Sequence, residues 1–495
     1  MAEPLASPLR SRVWILLALG VLGLGTLGVA LARSPAPDRV LILGSSLDDH
    51  GRDLGPGLEA LIADHLEVLT GATVIHASAL PAAAELKHLP PATRLLRFQG
   101  SREGDLLHLA VEWNTVSGLL SGRSWTPEEA STQEPAQAIA ALVRGWPLKV
   151  RHRYQRELVP QSPAHFWTLL QAMTIQDDHT ATANLPALQQ LAEEEPQCAT
   201  VWTTLGDHLY RSLWINPEAA GVGLSSRTHR AFQRAVNLVP GHPRATFLWS
   251  MMLTDTGNQD AALRALVTAA RLRPGTPELY YGFAYAGRTA GLLEGARRAL
   301  LRRKSLLGSQ DEPSAWFAET TYLYLGDLEA FRQELQRAGS RRQDASILFY
   351  QGYFALLQGR PQEAFGYMKA GSNPGMAPAP FRDLCRVYLA YLEGRPRDGL
   401  AELHAIDEVR GKLRIPDGEW TFKEAEAYSL LGDPDRGVDC ATRAFVQGFS
   451  CAAWYEASPF LAKVRAHARW PMLRRNIRER QAVMEGSFPP AAFDP

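Results

Sequence analysis

Apolar positions are unevenly distributed along the chain, and the longest uninterrupted apolar run lies near its start. Residues 13–32 carry no charge, and Thr26 is the only clearly polar side chain among these twenty. A helix rises about 1.5 Å per residue, so twenty residues reach roughly 30 Å, the thickness of the hydrocarbon core of a bilayer. The pattern predicts a transmembrane helix or a secretion signal, preceded by a short tail over residues 1–12.

The residues that flank this run keep both alternatives open. Arg10 and Arg12 precede it as in a signal sequence, and Ala30-Leu31-Ala32 fits a small-x-small cleavage pattern, so the chain is secreted if it is cut after Ala32. The apolar run is longer than the ~7–15 residues of a typical signal core, which favours a retained anchor. Basic residues balance across the run, because Arg33 and Arg39 follow it.

The short basic N-terminus favours an N-in orientation. The sequence therefore predicts a single-pass inner-membrane protein with the bulk of the chain periplasmic or otherwise outside the cytoplasm. A reversed topology, in which the chain is a cytoplasm-facing regulatory protein, is the alternative.

A short linker over residues 33–39, rich in proline, leads into a segment with strand periodicity. Apolar runs, alternation and one helical period over 57–69 predict a small α/β domain at residues 40–150. The predicted strands cover residues 40–43, 72–77, 93–99, 106–113 and 118–125, and a second helix covers 135–146.

From about residue 162 onward, helical periodicity replaces the strand pattern, and glycines recur at a nearly constant interval. Successive spacings between these glycines are 34, 35, 33, 35 and 38 residues. They are Gly257, Gly291, Gly326, Gly359, Gly394 and Gly432. A glycine supplies the positive φ that ends a helix, so this period predicts about eight helical hairpins over residues 163–447.

The pattern resembles the tetratricopeptide repeat. Trp202, Leu205 and Gly206 match the W-x2-L-G start of that motif, and Ala235 and Pro240 match its end. The resemblance implies an α-solenoid of antiparallel helix pairs that binds other proteins. The fold class expected is thus mostly α, a solenoid preceded by one hydrophobic helix and a small α/β domain.

The match is incomplete in three places. The first clear unit spans 44 residues from Pro196 to Pro240, and we interpret the excess as a loop. Phe331 and Gly399 stand where the family has alanine, so the limits of those two units are poorly fixed.

Two further segments resemble parts of bacterial envelope proteins. Residues 448–488 are similar to the terminal segment that closes many bacterial tetratricopeptide proteins, which predicts a helical cap followed by a tail at 489–495. The order of elements in residues 40–147, with Trp113 five positions before Gly118, is similar to the N-terminal domain of the periplasmic Tol-system propeller protein.

Composition narrows the function classes. Lysine plus arginine and aspartate plus glutamate each number 52, and this balance argues against a nucleic-acid partner. The four cysteines form no CxxC pair, and phosphate-loop, dinucleotide and hydrolase motifs are missing from the sequence. We therefore expect a protein that is not an enzyme and uses no cofactor or metal. The alternative, an enzyme centred on residues 40–147, depends on Asp48, Asp49, His50 and Glu112.

In the tetratricopeptide family the first helices of the pairs line a concave groove. Aromatic side chains and arginines dominate the equivalent positions here, as they do in binding hot spots. They are Arg244, Phe247, Tyr281, Tyr285, Arg288, Trp316, Phe349, Tyr353, Tyr388 and Tyr391. The prediction is that a protein or peptide binds in this groove; the alternative is that several of these side chains pack between neighbouring helices.

Overall fold

The computed structural model describes most of the chain after residue 37. The described residues are 38–77, 80–104, 106–132, 134, 139, 154, 156–175, 177–215, 223–308, 317–377, 379–412 and 417–494. The predicted membrane segment 13–32 and, except for Ile139, the predicted helix 135–146 lie outside them. Within the described residues, no helix has both the length and the apolar character needed to cross a bilayer.

The N-terminal region is a mixed sheet with a crossover helix. Its elements are β1 (Arg39–Asp49), β2 (Arg52–Asp53), α1 (Gly55–Thr70), β3 (Thr73–Ala77), α2 (Ala83–Leu86), β4 (Arg94–Glu103), β5 (Leu106–Thr115), α3 (Val116–Leu120) and β6 (Thr126–Thr132). The strand order is β2-β1-β4-β5-β6, and β3 also pairs with β1. β1 is parallel to β3 and β4, whereas β4, β5 and β6 form an antiparallel meander.

Helix α1 follows from its sequence. Leu58, Leu61, Leu66 and Leu69 are buried at helical spacing, and the helix ends at Gly71 with a φ of 72°. At its start Gly55 lies so close to β1 that a Cβ atom would stand 2.1 Å from the Ser45 carbonyl oxygen. The missing side chain thus lets α1 begin directly against the sheet.

The predicted strand at residues 118–125 is wrong. The chain forms the short helix α3 there, and the next strand starts only at Thr126. The Thr115 hydroxyl oxygen accepts a hydrogen bond from the Gly118 N–H at 3.0 Å, which caps a helix and ends the strand before it. This local capping bond outweighs the alternation of apolar residues.

Eight helix pairs follow in the described part of the chain. They are α4 (Pro163–Thr174) with the short α5 (Asp178–Ala183) and α6 (Leu185–Glu194); α7 (Ala199–Ile215) and α8 (Leu224–Leu238); α9 (Pro243–Asp255) and α10 (Gln259–Leu272); α11 (Pro277–Thr289) and α12 (Leu293–Leu307); α13 (Thr320–Leu325) and α14 (Leu328–Arg341); α15 (Ala345–Leu357) and α16 (Pro361–Gly371); α17 (Ala379–Leu392) and α18 (Pro396–Arg410); and α19 (Gly418–Leu431) and α20 (Pro434–Val446). The structure is a solenoid of tetratricopeptide type with a small N-terminal sheet.

The turn glycines that revealed the period behave as their spacing predicts. All six have positive φ angles, between 68° and 97°, in the turn that joins the two helices of a pair. Residues with a Cβ atom rarely adopt this conformation, which explains why glycine recurs there. The recurrence of glycine therefore follows from the backbone conformation that each turn requires.

The last part of the chain does more than end the stack. It forms α21 (Ala452–Ala457), a 3-10 turn (Pro459–Leu461), α22 (Ala462–Arg465), α23 (Trp470–Ser487) and a second 3-10 turn (Pro490–Phe493). The Ser450 N–H donates to the carbonyl oxygen of Thr289 at 2.8 Å, so the chain returns to the fourth helix pair. The predicted tail at 489–495 contains the fully buried Phe493, whose ring fits against Gly287 and Gly295.

The sheet region and the first repeats share one hydrophobic core. That core includes Leu58 of α1, Leu170 of α4 and Met251 of α9. A Cβ atom on Gly57 would stand 2.5 Å from the Leu170 carbonyl oxygen, so α1 and α4 are packed nearly backbone to backbone. The two parts of the protein therefore meet in a close, apolar interface.

Candidate functional site

Most residues of the predicted groove lie inside the protein. Tyr391 is 38 % exposed, Arg244 and Phe247 are half-buried, and Trp316 lies outside the described residues. The other six are buried, with at most 4 % of their surface exposed: Tyr281, Tyr285, Arg288, Phe349, Tyr353 and Tyr388. The reason is found in the partners of these side chains.

Arg288 of α11 is held by the last helix pair. Its Nη2 atom donates to Glu419 Oε2 at 2.5 Å, and its Nη1 atom donates to the Phe317 carbonyl oxygen at 2.9 Å. The Tyr324 hydroxyl donates to the other oxygen of Glu419. Glu419 lies at the start of α19, so the eighth helix pair reaches into the hollow of the fourth and fifth.

Tyr353 has a comparable environment. Its hydroxyl donates to Glu426 of α19 at 2.8 Å, and the ammonium group of Lys423 lies 4.1 Å from its ring centroid. Lys423 also pairs with Glu426 at 3.1 Å, and Ser458 donates to the same carboxylate. Buried charges need such partners, and both partners here belong to α19.

The chain's own C-terminal helices therefore cover the middle of the concave surface. The sequence left open whether these side chains bind a partner or pack between helices, and six of the ten are buried in the structure. Among them, Arg288 and Tyr353 contact α19 of the same chain. The open residues of the stripe are Arg244, Phe247 and Tyr391, for which partner binding stays a prediction.

A cavity lies where the sheet region meets the repeats. Its volume is about 320 Å³. The residues that line it are Pro56, Glu59, Ala60, Ala63, Asp64, Glu67, His76, Arg244, Phe247 and Glu278. Two residues of the predicted stripe, Arg244 and Phe247, thus face polar residues of α1, β3 and α11 across this cavity.

Helix α1 supplies three of the four carboxyl groups. Glu59, Ala63 and Glu67 are spaced by four residues, which places them on one face, and Asp64 lies beside them. Glu59 accepts from the Ser45 hydroxyl at 2.8 Å and lies 2.5 Å from His76 Nδ1. Partial burial opposes the charge on His76, but the bond to Glu59 outweighs it and raises the pKa of the imidazole.

The other acidic groups are less well paired. Asp64 is only 2 % exposed, and its Oδ2 atom has no hydrogen-bond partner among the described residues. Burial raises the pKa of Asp64 to about 7, since the attraction of Arg244 only partly offsets the loss of water. Burial, together with nearby Glu278 and Asp64, also raises the pKa of Glu67 well above its usual range.

The two arginines beside the cavity attract its carboxyl groups but form their hydrogen bonds with other groups. Arg244 Nη2 donates to Asp207 Oδ2 at 3.2 Å, on the side of α7. Arg273 Nε donates to the Gly241 carbonyl oxygen, and its Nη1 donates to that of Val68, so this side chain joins the end of α1 to the repeats. The cavity is thus predominantly acidic, with the Phe247 ring as an apolar wall.

The residues of the enzyme alternative do not form this cavity. Asp49 is fully buried and accepts from Arg52, Arg102 and Gln171, so it holds the sheet to α4. Glu112 pairs with Arg97 at 2.9 Å on the sheet. The sequence prediction does not include Asp64 and Glu67, because it depends on the apolar period of this segment. The sequence signal that could have revealed them is the presence of two acidic residues among the apolar residues of a predicted helix.

A second acidic cluster lies between α18, α19 and α20. Ligand atoms of Asp407, Glu424 and Cys440 all lie within 4.8 Å of one another. Arg443 Nη2 donates to all three, so a guanidinium group already supplies positive charge there. Burial raises the pKa of the Cys440 thiol, and the four cysteines are buried and free, which leaves this cluster as a structural ion pair.

No family model matches the sequence, and no curated protein matches it. Solved structures with a similar chain path include the crystal structure of the APC/C hetero-tetramer Cut9–Hcn1 (12% identity, TM-score 0.43), which covers 67% of this chain and 62% of that one. Yeast Tom70 is also similar (10% identity, TM-score 0.36), with coverage of 64% and 67%. The TPR domain of P58(IPK) has 13% identity and a TM-score of 0.19, with coverage of 58% and 99%.

This chain therefore spans less than two thirds of the length of the Cut9–Hcn1 chain that it matches. At these identities and scores the likeness says nothing about activity or partners. The tetratricopeptide character of this chain depends on its own helix pairs and turn glycines.

Proposed function

We propose that this protein is a non-enzymatic scaffold that binds a protein or peptide partner at the open part of its concave face. The supporting observation is the division of the predicted stripe. Its middle is filled by α19, whereas Arg244 and Phe247 remain partly exposed at the cavity beside α1. A partner segment that binds there contacts the sheet region and the repeats together.

Residues 13–32 anchor the scaffold in the inner membrane in this proposal, with the sheet region and repeats outside the cytoplasm. The support is the apolar length and the basic N-terminus of the sequence. Protease added to spheroplasts should digest the repeats of the full chain, and deletion of residues 1–32 should leave the protein in the soluble cytoplasmic fraction. Protection of the repeats in intact spheroplasts would instead support the cytoplasm-facing alternative.

A site-specific photo-crosslinker tests the binding site. A benzoylphenylalanine at position 247 replaces an aromatic ring by a larger one at a half-buried site. The same replacement at Phe365, a half-buried residue on the second helix α16, is the matched control. We expect a crosslinked partner from position 247 alone, and the partner, once identified by mass and purified, should bind the unmodified protein. Equal crosslinking at both positions, or none at 247, would remove the proposal.

A further inference from the structure

The cavity between α1 and the repeats is lined by more carboxyl groups than basic groups. Four carboxyl groups and two basic groups line it. His76 is engaged by Glu59, and Arg244 by Asp207. Asp64, Glu67 and Glu278 therefore share one lining cation, Arg244, which attracts Asp64 but donates a side-chain hydrogen bond to Asp207.

Three residues that line the cavity have a buried polar atom without a hydrogen-bond partner among the described residues. Two of these atoms are acceptors, Asp64 Oδ2 and Glu278 Oε2, and one is a donor, Arg244 Nη1. A buried acceptor that is left unpaired is costly, and a cation in the cavity would supply the partner that Asp64 and Glu278 lack. Asp64 is 2 % exposed, and its neighbours Ile62 and Leu66 on α1 are buried in the hydrophobic core.

The other residues that line the cavity are apolar. Pro56, Ala60 and Ala63 contribute small side chains on one side, and the Phe247 ring lies on the other. A bare metal ion gains nothing from such a wall. A cation with an alkyl chain, in contrast, buries its methylene groups there and can place its charge near the aromatic face.

We propose that this cavity is a binding site for an organic cation, an ammonium or guanidinium group on an alkyl chain, with Asp64, Glu67 and Glu278 as its charge partners and Phe247 as its apolar wall. The volume of about 320 Å³ accommodates a side chain of lysine or arginine, or a free diamine. If the proposed function holds, the basic side chain of a bound peptide fills this site; the site itself does not depend on it.

Binding must displace protons. Burial raises the pKa of Asp64 to about 7, so part of the Asp64 population is protonated near neutral pH and must ionise when the cation arrives. The groups that face Asp64 are Glu67 on its own helix, Arg244 on α9, Glu278 on α11 and His76 on β3. Affinity should therefore rise from pH 6 to pH 8, with protons released on binding.

Calorimetry on the purified chain tests the site. The probes are N-acetyl-arginine amide, its neutral analogue N-acetyl-citrulline amide, putrescine, and a hexapeptide with one central arginine. We expect saturable binding of the cations and none of the citrulline compound. Tighter binding of the peptide than of putrescine assigns the site to a peptide side chain, and the reverse order assigns it to a free amine.

Three variants complete the test. Asp64→Asn and Glu278→Gln keep the shape of the side chains and should each weaken cation binding at least ten-fold. Glu129→Gln, on the exposed part of β6, should leave it unchanged. Binding of the neutral analogue, or equal affinity in all four proteins, would overturn the proposal, as would the absence of binding by every cation. A failed crosslink at position 247 with intact cation binding would refute only the protein-scaffold function.

Discussion

Arg288 and Glu419 form a buried ion pair although 131 residues separate them in the sequence. The arginine belongs to the fourth helix pair and the glutamate to the eighth. Both side chains are nearly inaccessible to solvent. The pair therefore joins the eighth helix pair directly to the fourth.

Removal of either charge should destabilise the protein. Among the described residues, Arg288→Ala leaves the buried Glu419 carboxylate with the Tyr324 hydroxyl as its hydrogen-bond partner, and a buried ion that loses its charged partner typically costs about 3–5 kcal/mol. Urea denaturation should therefore show a lower midpoint, and the melting temperature should fall. The exposed Arg395, which pairs with Glu393 and Asp398, is the matched control, and Arg395→Ala should have little effect.

The same reasoning decides whether the residues of the predicted groove bind a partner or belong to the core of the protein. If Arg288 and Tyr285 only bound a partner, their joint replacement by alanine would leave the melting temperature unchanged. The Tyr285 hydroxyl donates to the buried Asp255 at 2.7 Å, so the structure predicts a clear loss of stability instead.

The C-terminal turn should contribute more to stability than a tail does. Phe493 is fully buried, and its ring centroid lies 5.4 Å from that of Phe283. Phe493→Ala should destabilise the protein by ~3 kcal/mol or more, with faster hydrogen exchange in α11 and α12. Val483→Ala, at a largely exposed position of the preceding helix, should not. Equal effects of the two changes would mean that Phe493 is not packed.

Two turn glycines offer a matched comparison of backbone strain and packing. Gly257 and Gly359 have φ angles of 82° and 68°, so alanine costs roughly 1 kcal/mol of strain at either position. A Cβ atom at Gly257 would also lie 3.0 Å from the Gln447 carbonyl oxygen, whereas that at Gly359 would meet nothing within 4 Å. Urea denaturation should therefore show a greater loss of unfolding free energy for Gly257→Ala than for Gly359→Ala. Equal losses would indicate that the end of α20 does not reach the third helix pair.

Asp64 should reverse the usual effect of pH on stability. Because its pKa is raised to about 7 in the folded chain and is about 3.8 when exposed, the folded state holds a proton that the unfolded state has lost between these values. Stability from this group is highest at acidic pH and falls as the pH rises from about 4 to 7. The penalty at pH 8 is at most about 4 kcal/mol.

Asp64→Asn should remove this penalty. Unfolding by urea, measured without ligand, should be harder for the variant than for the parent at pH 8 and equally hard at pH 4. A gain in stability together with lost cation binding is expected of a site that is strained for its ligand. A variant that is less stable at both pH values would show that the carboxylate is paired within the protein.

The sequence predicts local features of this fold well. Gly257 and its five counterparts reveal the helix pairs, because a positive φ at each turn is a requirement of a single position. Helical spacing likewise places Leu58 and Leu66 on the buried face of α1. Such features depend on neighbours within a few residues.

Features that depend on distant segments were not predictable in the same way. The pattern around Tyr353 and Tyr388 predicts a binding face but does not say which part of the chain packs against it. Glu426 follows its partner Tyr353 by 73 residues, and Glu419 follows its partner Arg288 by 131 residues. The same limit applies to Asp64, whose surroundings come from helices about two hundred residues away.

The coupling between Arg288 and Glu419 tests most directly whether the chain closes its own hollow. A double-mutant cycle with Arg288→Met and Glu419→Gln measures it by urea denaturation of the parent, the two single variants and the double variant. If the eighth helix pair fills the hollow, the two changes should be coupled by about 2 kcal/mol or more. Effects that add to within ~0.5 kcal/mol would place these residues apart and contradict the closed solenoid.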